Sequence, residues 1–241
     1  MKEAQATDGG GNRPFVVALT GGPCAGKTTL LSRLRECGAI GGCKLLFVPE
    51  AATILVGRGF VIGQDVRDFQ TRVMLLQREL EDAAVVEARA SGEPSVIVCD
   101  RGMLDGAGYC PPEMFAQIMD DVGVDTQELA DRYDLALHLV SAAVEAPEAY
   151  TTGNNEARIE TLDEAVAQEQ RTVEAWAAHP RRMVISTTGG FEAKMRDAMA
   201  AMIEEPDRYD PAVIRAFCRD RFSENAVCGE LTRIYNDVLR S

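Results

Sequence analysis

Residues 14–29, PFVVALTGGPCAGKTT, decide the fold of this 241-residue chain. The first seven form a short apolar and β-branched run, which is typical of a strand buried on both faces of a parallel sheet. Glycines follow, and a helical pattern then places four side chains on one face, namely Leu30, Leu31, Leu34 and Cys37. This order of strand, glycine-rich loop and helix brings a helix N-terminus to the loop, and anions bind at helix N-termini.

The loop, GGPCAGKT at residues 21–28, matches the phosphate-binding pattern G-x-x-x-x-G-K-[ST]. Its glycines let successive backbone N–H groups point at a phosphate. Lys27 can reach the β- and γ-phosphates, and the Thr28 hydroxyl can complete the shell of a magnesium ion. We therefore predict that Lys27 is catalytic and that nucleotide is bound by Gly21, Gly22, Pro23, Cys24, Ala25, Gly26, Lys27, Thr28 and Thr29. The alternative is a glycine-rich turn that matches the pattern by chance.

A second apolar run, SVIVC at residues 95–99, ends in Asp100 and Arg101. Because neighbouring parallel strands end on the same side of a sheet, we predict Asp100 as a magnesium ligand together with Thr28. The guanidinium of Arg101 can clamp a phosphate or hold a substrate hydroxyl. The alternatives are a strand-ending aspartate without a ligand and an arginine in a structural ion pair.

Glu50 ends a third apolar run, KLLFVPE at residues 44–50. Strand ends at this edge of the sheet line the ligand crevice. A carboxylate there can accept a proton from an attacking hydroxyl, so we predict Glu50 as a catalytic base. The alternatives are a helix N-cap and a solvated acid in a loop.

Two further apolar runs, YDLALHLV at 133–140 and RRMVIST at 181–187, bring the number of predicted strands to five. Helical patterns alternate with them, beginning at Asp65, spanning about 162–178 and covering 191–205. The alternation predicts an α/β fold around a five-stranded parallel sheet. Together with the phosphate-loop motif it indicates a P-loop NTPase with three α/β/α layers. We expect a flexible N-terminal tail at 1–13, the P-loop domain at 14–205 and a C-terminal helical extension at 206–241.

Composition and charge exclude several classes of function. The formal net charge is −13, which leaves no broad basic face for nucleic acid, while a local basic pocket for a phosphorylated ligand stays open. No stretch approaches 18 uncharged apolar residues, so no transmembrane segment is expected. The seven cysteines include no C-x-x-C pair, and the polar N-terminus has no apolar core. We therefore expect a reducing, cytoplasmic compartment.

Three other residues are predicted to be structural. His138 lies in an apolar run and His179 at a helix end, and two isolated histidines do not make a metal site. Trp176 stands at helical spacing and is expected to pack in the core. The N-K-x-D signature of regulatory GTPases is absent from the sequence, so the sequence does not separate ATP from GTP.

The chain resembles the AAA-type P-loop family represented by NadR and the TRPL-translocation-defect proteins. The matching segments run in order from about residue 18 to 194: TGGPCAGKTT, VPEAAT, VIVCDRG, RYDLALHLV, NNEARIET with a following AW-x-x-HP, and FEAK. A looser resemblance to the deoxynucleoside kinases rests on Glu50, on Asp100–Arg101 and on FQTRVMLLQ, where Gln70 stands at the base-reading glutamine. The chain departs from those kinases at Gly102, where they usually have serine.

The family resemblance implies a nucleotide-kinase-like core that binds ATP or GTP with Mg²⁺, with a lid at residues 145–172. Arg158 and Arg171 would be catalytic lid arginines unless they lie on a solvated helix face, and Gln70 and Arg101 would bind the acceptor. Three functions stay open. The first is γ-phosphate transfer to a small nucleoside-like acceptor, and the second is an NTP-dependent binding switch in trafficking with a phosphoinositide or protein partner. The third is a bare NTPase domain.

Overall fold

The structure is a computed structural model that describes residues 13–145, 147 and 161–203. The strands of this part of the chain are β1 Phe15–Thr20, β2 Ala39–Ile40, β3 Cys43–Val48, β4 Ser95–Asp100, β5 Leu135–Leu139 and β6 Arg182–Ile185. The α-helices are α1 Lys27–Cys37, α2 Ala51–Gly57, α3 Val66–Ser91, α4 Pro112–Val122, α5 Thr126–Asp131, α6 Ala142–Glu145, α7 Leu162–Ala175 and α8 Phe191–Ala201. A short 3₁₀ helix at Met103–Gly108, called the 3₁₀ segment below, follows β4.

The strands form one sheet in the order β2-β3-β4-β1-β5-β6. All pairs from β3 to β6 are parallel, which confirms the α/β class and the five predicted strands. The structure corrects the strand number to six, because β2 pairs antiparallel with β3. The two residues of β2 are too few to show the apolar pattern from which a strand is predicted. The turn between β2 and β3 uses Gly41 and Gly42, both at positive φ, as two-residue hairpins prefer.

The sheet has a hydrophobic core on each face, because successive side chains of a strand point in opposite directions. Phe15, Val17 and Leu19 of β1 pack into one core with α1 and α8. Val16 and Ala18 pack into the other core with α3, α4 and α5. Every residue of β1 is buried, which is why its sequence shows no polar alternation. The three predicted layers are therefore present.

Several predicted boundaries differ from those of the structure. The run at 44–50 ends as a strand at Val48, the helix predicted to reach about residue 178 ends at Ala175, and the last described helix ends at Ala201 rather than at 205. Three elements between β4 and β5 were not predicted from the sequence, namely the 3₁₀ segment, α4 and α5.

Some predicted features lie outside the described residues. They are most of the tail at 1–13, the extension at 206–241 and the part of the lid that contains Arg158. Among the described residues, no helix is both long and apolar enough to cross a lipid bilayer.

Candidate functional site

The loop between β1 and α1 has a backbone that requires glycine at both ends. Gly21 has φ +137°, and a Cβ on it would collide with the carbonyl oxygen of Leu139 at the end of β5. Gly26 has φ +96° and precedes the first residue of α1. A Cβ there would lie 3.1 Å from the ring of Phe191 in α8. The two fixed glycines of the pattern are thus explained by backbone conformation and by close packing.

Lys27, the first residue of α1, folds back over the loop. Its Nζ donates hydrogen bonds to the carbonyl oxygens of Gly21 at 2.6 Å and Gly22 at 3.0 Å. Burial, and after it the charge of Arg101, lower the pKa of Lys27, nearby carboxylates raise it, and the net result is a pKa of about 8. The amine thus has two backbone carbonyl oxygens of the loop as its partners.

Asp100 and Thr28 have the chemistry that a nucleotide-bound magnesium ion needs. Asp100 ends β4, which pairs directly with β1, and Thr28 is exposed in the first turn of α1. Burial raises the pKa of Asp100 and the charge of Glu50 raises it further, so Lys27 and Arg101 do not fully compensate this carboxylate. Among the described residues, no three His, Cys, Asp or Glu side chains form a metal-binding group. Mg²⁺ on a nucleotide needs only one or two carboxylates, because phosphates and water complete its shell.

Glu50 and Arg101 form an ion pair across the ends of β3 and β4. The Arg101 Nε donates to Glu50 Oε1 at 2.6 Å, and the Thr53 hydroxyl donates to Glu50 Oε2 at 2.7 Å. Burial opposes ionisation of Glu50, but Arg101 and Thr53 together lower its pKa below the ordinary value. Glu50 also occupies the N-cap position of α2, although its side chain caps no backbone N–H there. The structure thus brings the predicted base and the predicted substrate arginine into contact.

Asp105 is a site residue that sequence reasoning missed. It lies in the 3₁₀ segment with a side chain that is 4% exposed, 3.3 Å from Nη1 of Arg101. The Thr20 hydroxyl, at the end of β1, donates to the same Asp105 oxygen at 2.7 Å. An arginine and an aspartate four residues apart were the only sequence signal, and that signal is weak without a predicted helix.

Glu169 of α7 is the second residue that was missed. Its Oε2 accepts the backbone N–H of Gly22 at 2.7 Å, and its Oε1 contacts Nε2 of His138 at 2.8 Å and the N–H of Ser141 at 3.2 Å. Burial opposes ionisation, but the hydrogen bond from His138 and the backbone donors lower the pKa of Glu169. A carboxylate on the buried face of an amphipathic helix, in line with Ala165, was a signal that could have identified it.

The packing around Gly102 explains why this chain has glycine where the deoxynucleoside kinases usually have serine. A Cβ on Gly102 would lie 2.7 Å from the Trp176 ring and 3.0 Å from the Tyr133 ring. Both rings are buried and pack edge to face, with centroids 5.2 Å apart. The expected packing role of Trp176 is confirmed, and a serine at position 102 would displace it.

The remaining predicted residues lie around the 3₁₀ segment. Gln70, early in α3, places its Oε1 3.8 Å from the position that a Cβ on Gly106 would take. Arg171 of α7 donates from Nε to the Gly108 carbonyl at 3.0 Å and from Nη2 to Gln168 at 2.8 Å. Gln70 and Arg171 therefore both lie beside the C-terminal half of this segment, and their roles toward a substrate stay predictions.

Comparison with known proteins gives a family and a fold. Residues 16–194 match the family model described as AAA domain, and no curated protein matches the chain. The NadR protein in complex with NAD and AMP-PNP superposes with a TM-score of 0.55 at 19% identity, covering 82% of this chain and 51% of that one. NadR in complex with NR gives a TM-score of 0.56 at 20% identity, covering 80% and 51%. The chain thus spans about half the length of these NadR chains. These findings confirm the family resemblance and the fold.

Proposed function

The chain belongs to the AAA-domain family, and on that premise we propose that it binds ATP or GTP with Mg²⁺ and transfers the γ-phosphate to a small nucleoside-like acceptor. One observation carries this proposal. The phosphate loop follows β1 and the Glu50–Arg101 ion pair joins the ends of β3 and β4, and because these three strands are adjacent and parallel, the loop and the ion pair lie at the same sheet edge. A nucleotide site and a candidate base therefore converge.

The loop amides and Lys27 would bind the phosphates, and the positive charge of Lys27 would offset charge on the transferring group. Thr28 and Asp100 would hold Mg²⁺, which when bound neutralises charge on the β- and γ-phosphates. Glu50 would accept the proton of the acceptor hydroxyl. The oxygen of that hydroxyl would form the new bond to the γ-phosphorus, while the bond between the γ-phosphorus and the β-phosphate oxygen breaks. Arg101 and Gln70 would orient the acceptor, and Arg158 and Arg171 would contact the transferring phosphate from the lid.

Radiolabelled γ-phosphate offers the direct test. Purified protein is incubated with labelled ATP or GTP, Mg²⁺ and a panel of nucleosides, and the labelled products are separated. We expect label on an acceptor with wild type and with Lys44→Ala, which alters an exposed lysine at the opposite end of β3. Lys27→Ala should abolish the transfer. If inorganic phosphate is released at a rate that no acceptor alters, the result would favour the bare NTPase instead.

One observation favours a second function, a nucleotide-dependent binding switch with little turnover. Arg101 and Thr53 donate hydrogen bonds to the two carboxylate oxygens of Glu50 and lower its pKa, which makes this carboxylate a weaker base. A switch would capture a protein or phosphoinositide partner in one nucleotide state only. Flotation with phosphoinositide-containing vesicles, with nucleoside triphosphate or diphosphate present, tests this: equal flotation in both states would exclude a lipid-directed switch.

A further inference from the structure

Asp105 is a buried carboxylate with four hydrogen-bond donors around it. Oδ1 accepts from the Thr20 hydroxyl at 2.7 Å and from Nη1 of Arg101 at 3.3 Å. Oδ2 accepts from the backbone N–H of Gly102 at 2.9 Å and from Nε1 of Trp176 at 3.2 Å. An ionised side chain is retained in a protein interior only when such partners compensate the loss of water.

The four donors come from separate parts of the candidate site. Thr20 is the last residue of β1 and directly precedes the phosphate loop. Arg101 holds Glu50, while Trp176 follows α7, the helix that also carries Arg171. Asp105 therefore contacts the strand that leads to the loop, the arginine of the ion pair and the residue that follows α7.

Arg101 depends on this support because its own backbone is unusual. It has φ +72°, in the left-handed region that residues other than glycine rarely adopt. Asp105 binds the guanidinium and also the N–H of the next residue, Gly102. Gln77 of α3 binds the Arg101 carbonyl at 3.2 Å. Buried polar groups thus hold Arg101 at two places: Asp105 holds its guanidinium, and Gln77 holds its backbone carbonyl.

We propose that Asp105 is a positioning residue that fixes the guanidinium of Arg101 against Glu50 and aligns this pair with the phosphate loop through Thr20. The expected effect of Asp105 on kcat rests on the proposed phosphoryl-transfer function. The placement of Arg101 by Asp105 can be measured without turnover. Asp105 itself touches neither nucleotide nor acceptor in this role.

The test compares Asp105→Asn with Trp176→Phe, which removes a different donor of the same carboxylate and keeps an aromatic ring in the core. The first readout is the ¹H–¹⁵N signal of the Arg101 Nε–H group, identified by its loss in Arg101→Lys. Its hydrogen bond to Glu50 should protect this proton from exchange in wild type and in Trp176→Phe. Asp105→Asn should remove most of the protection, because the amide carries no charge to attract the guanidinium and has one acceptor oxygen where Asp105 uses two.

The second readout is phosphoryl transfer. Asp105→Asn should lower kcat about tenfold or more, as expected when a charge-assisted hydrogen bond is lost, with the Kd for nucleotide within about threefold. In an Arg101→Ala background the same substitution should have little further effect on kcat, since the residue acts through Arg101. A purely structural carboxylate would lower kcat to the same extent in both backgrounds.

The outcomes separate the two proposals. An unchanged Arg101 signal in Asp105→Asn, or a lost signal with normal kcat, overturns the positioning role. A lost signal in a protein whose wild type transfers no phosphate overturns the proposed function and leaves the placement of Arg101 by Asp105 supported. If Asp105→Asn does not fold, Asp105→Glu keeps the charge but moves it by one methylene, and it should also displace the Arg101 signal.

Discussion

Lys27 lies among four charged side chains whose effects on its amine oppose one another. Arg101 lowers its pKa, whereas Asp100, Asp105 and Glu50 raise it, and burial is the largest influence. The result, a pKa of about 8, lies near the pH at which proteins are studied. A free lysine would stay charged to a much higher pH.

This pKa predicts that nucleotide affinity falls at alkaline pH. Bound phosphate favours the charged amine, so the pKa of Lys27 is higher in the complex than in the free protein, and binding above about pH 8 takes up a proton. Affinity should therefore be constant well below pH 8 and about tenfold weaker at pH 9. Calorimetry in two buffers of different ionisation enthalpy measures the proton uptake. Lys27→Arg, which stays charged, is the control, and an equal decline in that variant would contradict the assignment.

Glu50 gives a prediction that separates catalysis from binding. Glu50→Gln keeps an oxygen for the hydrogen bond from Arg101 but cannot accept a proton. If Glu50 is the base, kcat should fall by about 10²–10⁴-fold. Nucleotide affinity should stay level or rise slightly, because a negative charge near the phosphates is gone.

The control for Glu50 is Glu93→Gln, an exposed acid in the loop before β4. Its turnover should match that of wild type. Normal turnover in Glu50→Gln would remove Glu50 from the catalytic role and would favour the switch.

At the scale of secondary-structure elements, α7 connects to the phosphate loop more directly than its place in the chain suggests. Glu169 binds the N–H of Gly22, and Gln168 and Arg171 of the same helix bind the Gly108 carbonyl. Because the lid predicted at residues 145–172 includes most of α7, a movement of this helix would reach the loop and the 3₁₀ segment together.

We predict that Glu169→Ala destabilises the fold and weakens nucleotide binding. The substitution leaves the N–H groups of Gly22 and Ser141 and the ring of His138 without their acceptor. Each buried unsatisfied group costs about 1–3 kcal/mol, so the free energy of unfolding should fall by at least about 3 kcal/mol. Urea denaturation measures this loss. Glu174→Ala, an exposed position on the same helix, should change stability by less than about 0.5 kcal/mol, and similar losses in both variants would contradict a specific role for Glu169.

At the scale of the whole molecule, the phosphate loop joins β1, one of the two central strands of the six-stranded sheet, to α1. Both cores contain residues of β1, so a ligand that binds only the folded loop stabilises the whole described domain rather than one edge of it.

Nucleotide with Mg²⁺ should therefore raise the melting temperature of the protein. At 100 times its Kd the ligand adds about 2.7 kcal/mol to the free energy of unfolding, which for a chain of this size is a shift of several degrees. Lys27→Ala should lose most of the shift, and Lys44→Ala should keep it. An equal shift in wild type and Lys27→Ala would contradict the phosphate-loop assignment.

The amino-acid sequence by itself determined the phosphate loop, the five parallel strands and the class of fold. These features are local: a run of six or seven apolar residues, or a motif of eight, carries its own signal in consecutive positions. Asp100 and Glu50 could be placed at one sheet edge for the same reason, since each follows a recognisable strand and parallel strands share their direction.

Only the tertiary structure decided how the site is held together. Thr20 and Asp105 are 85 residues apart, Trp176 and Asp105 are 71 apart, and Gly22 and Glu169 are 147 apart. No local pattern links such pairs, because the contacts arise only when helices from distant parts of the chain pack on the sheet. Whether Arg101 pairs with Glu50, and whether position 102 has room for a side chain, likewise depends on those packed neighbours.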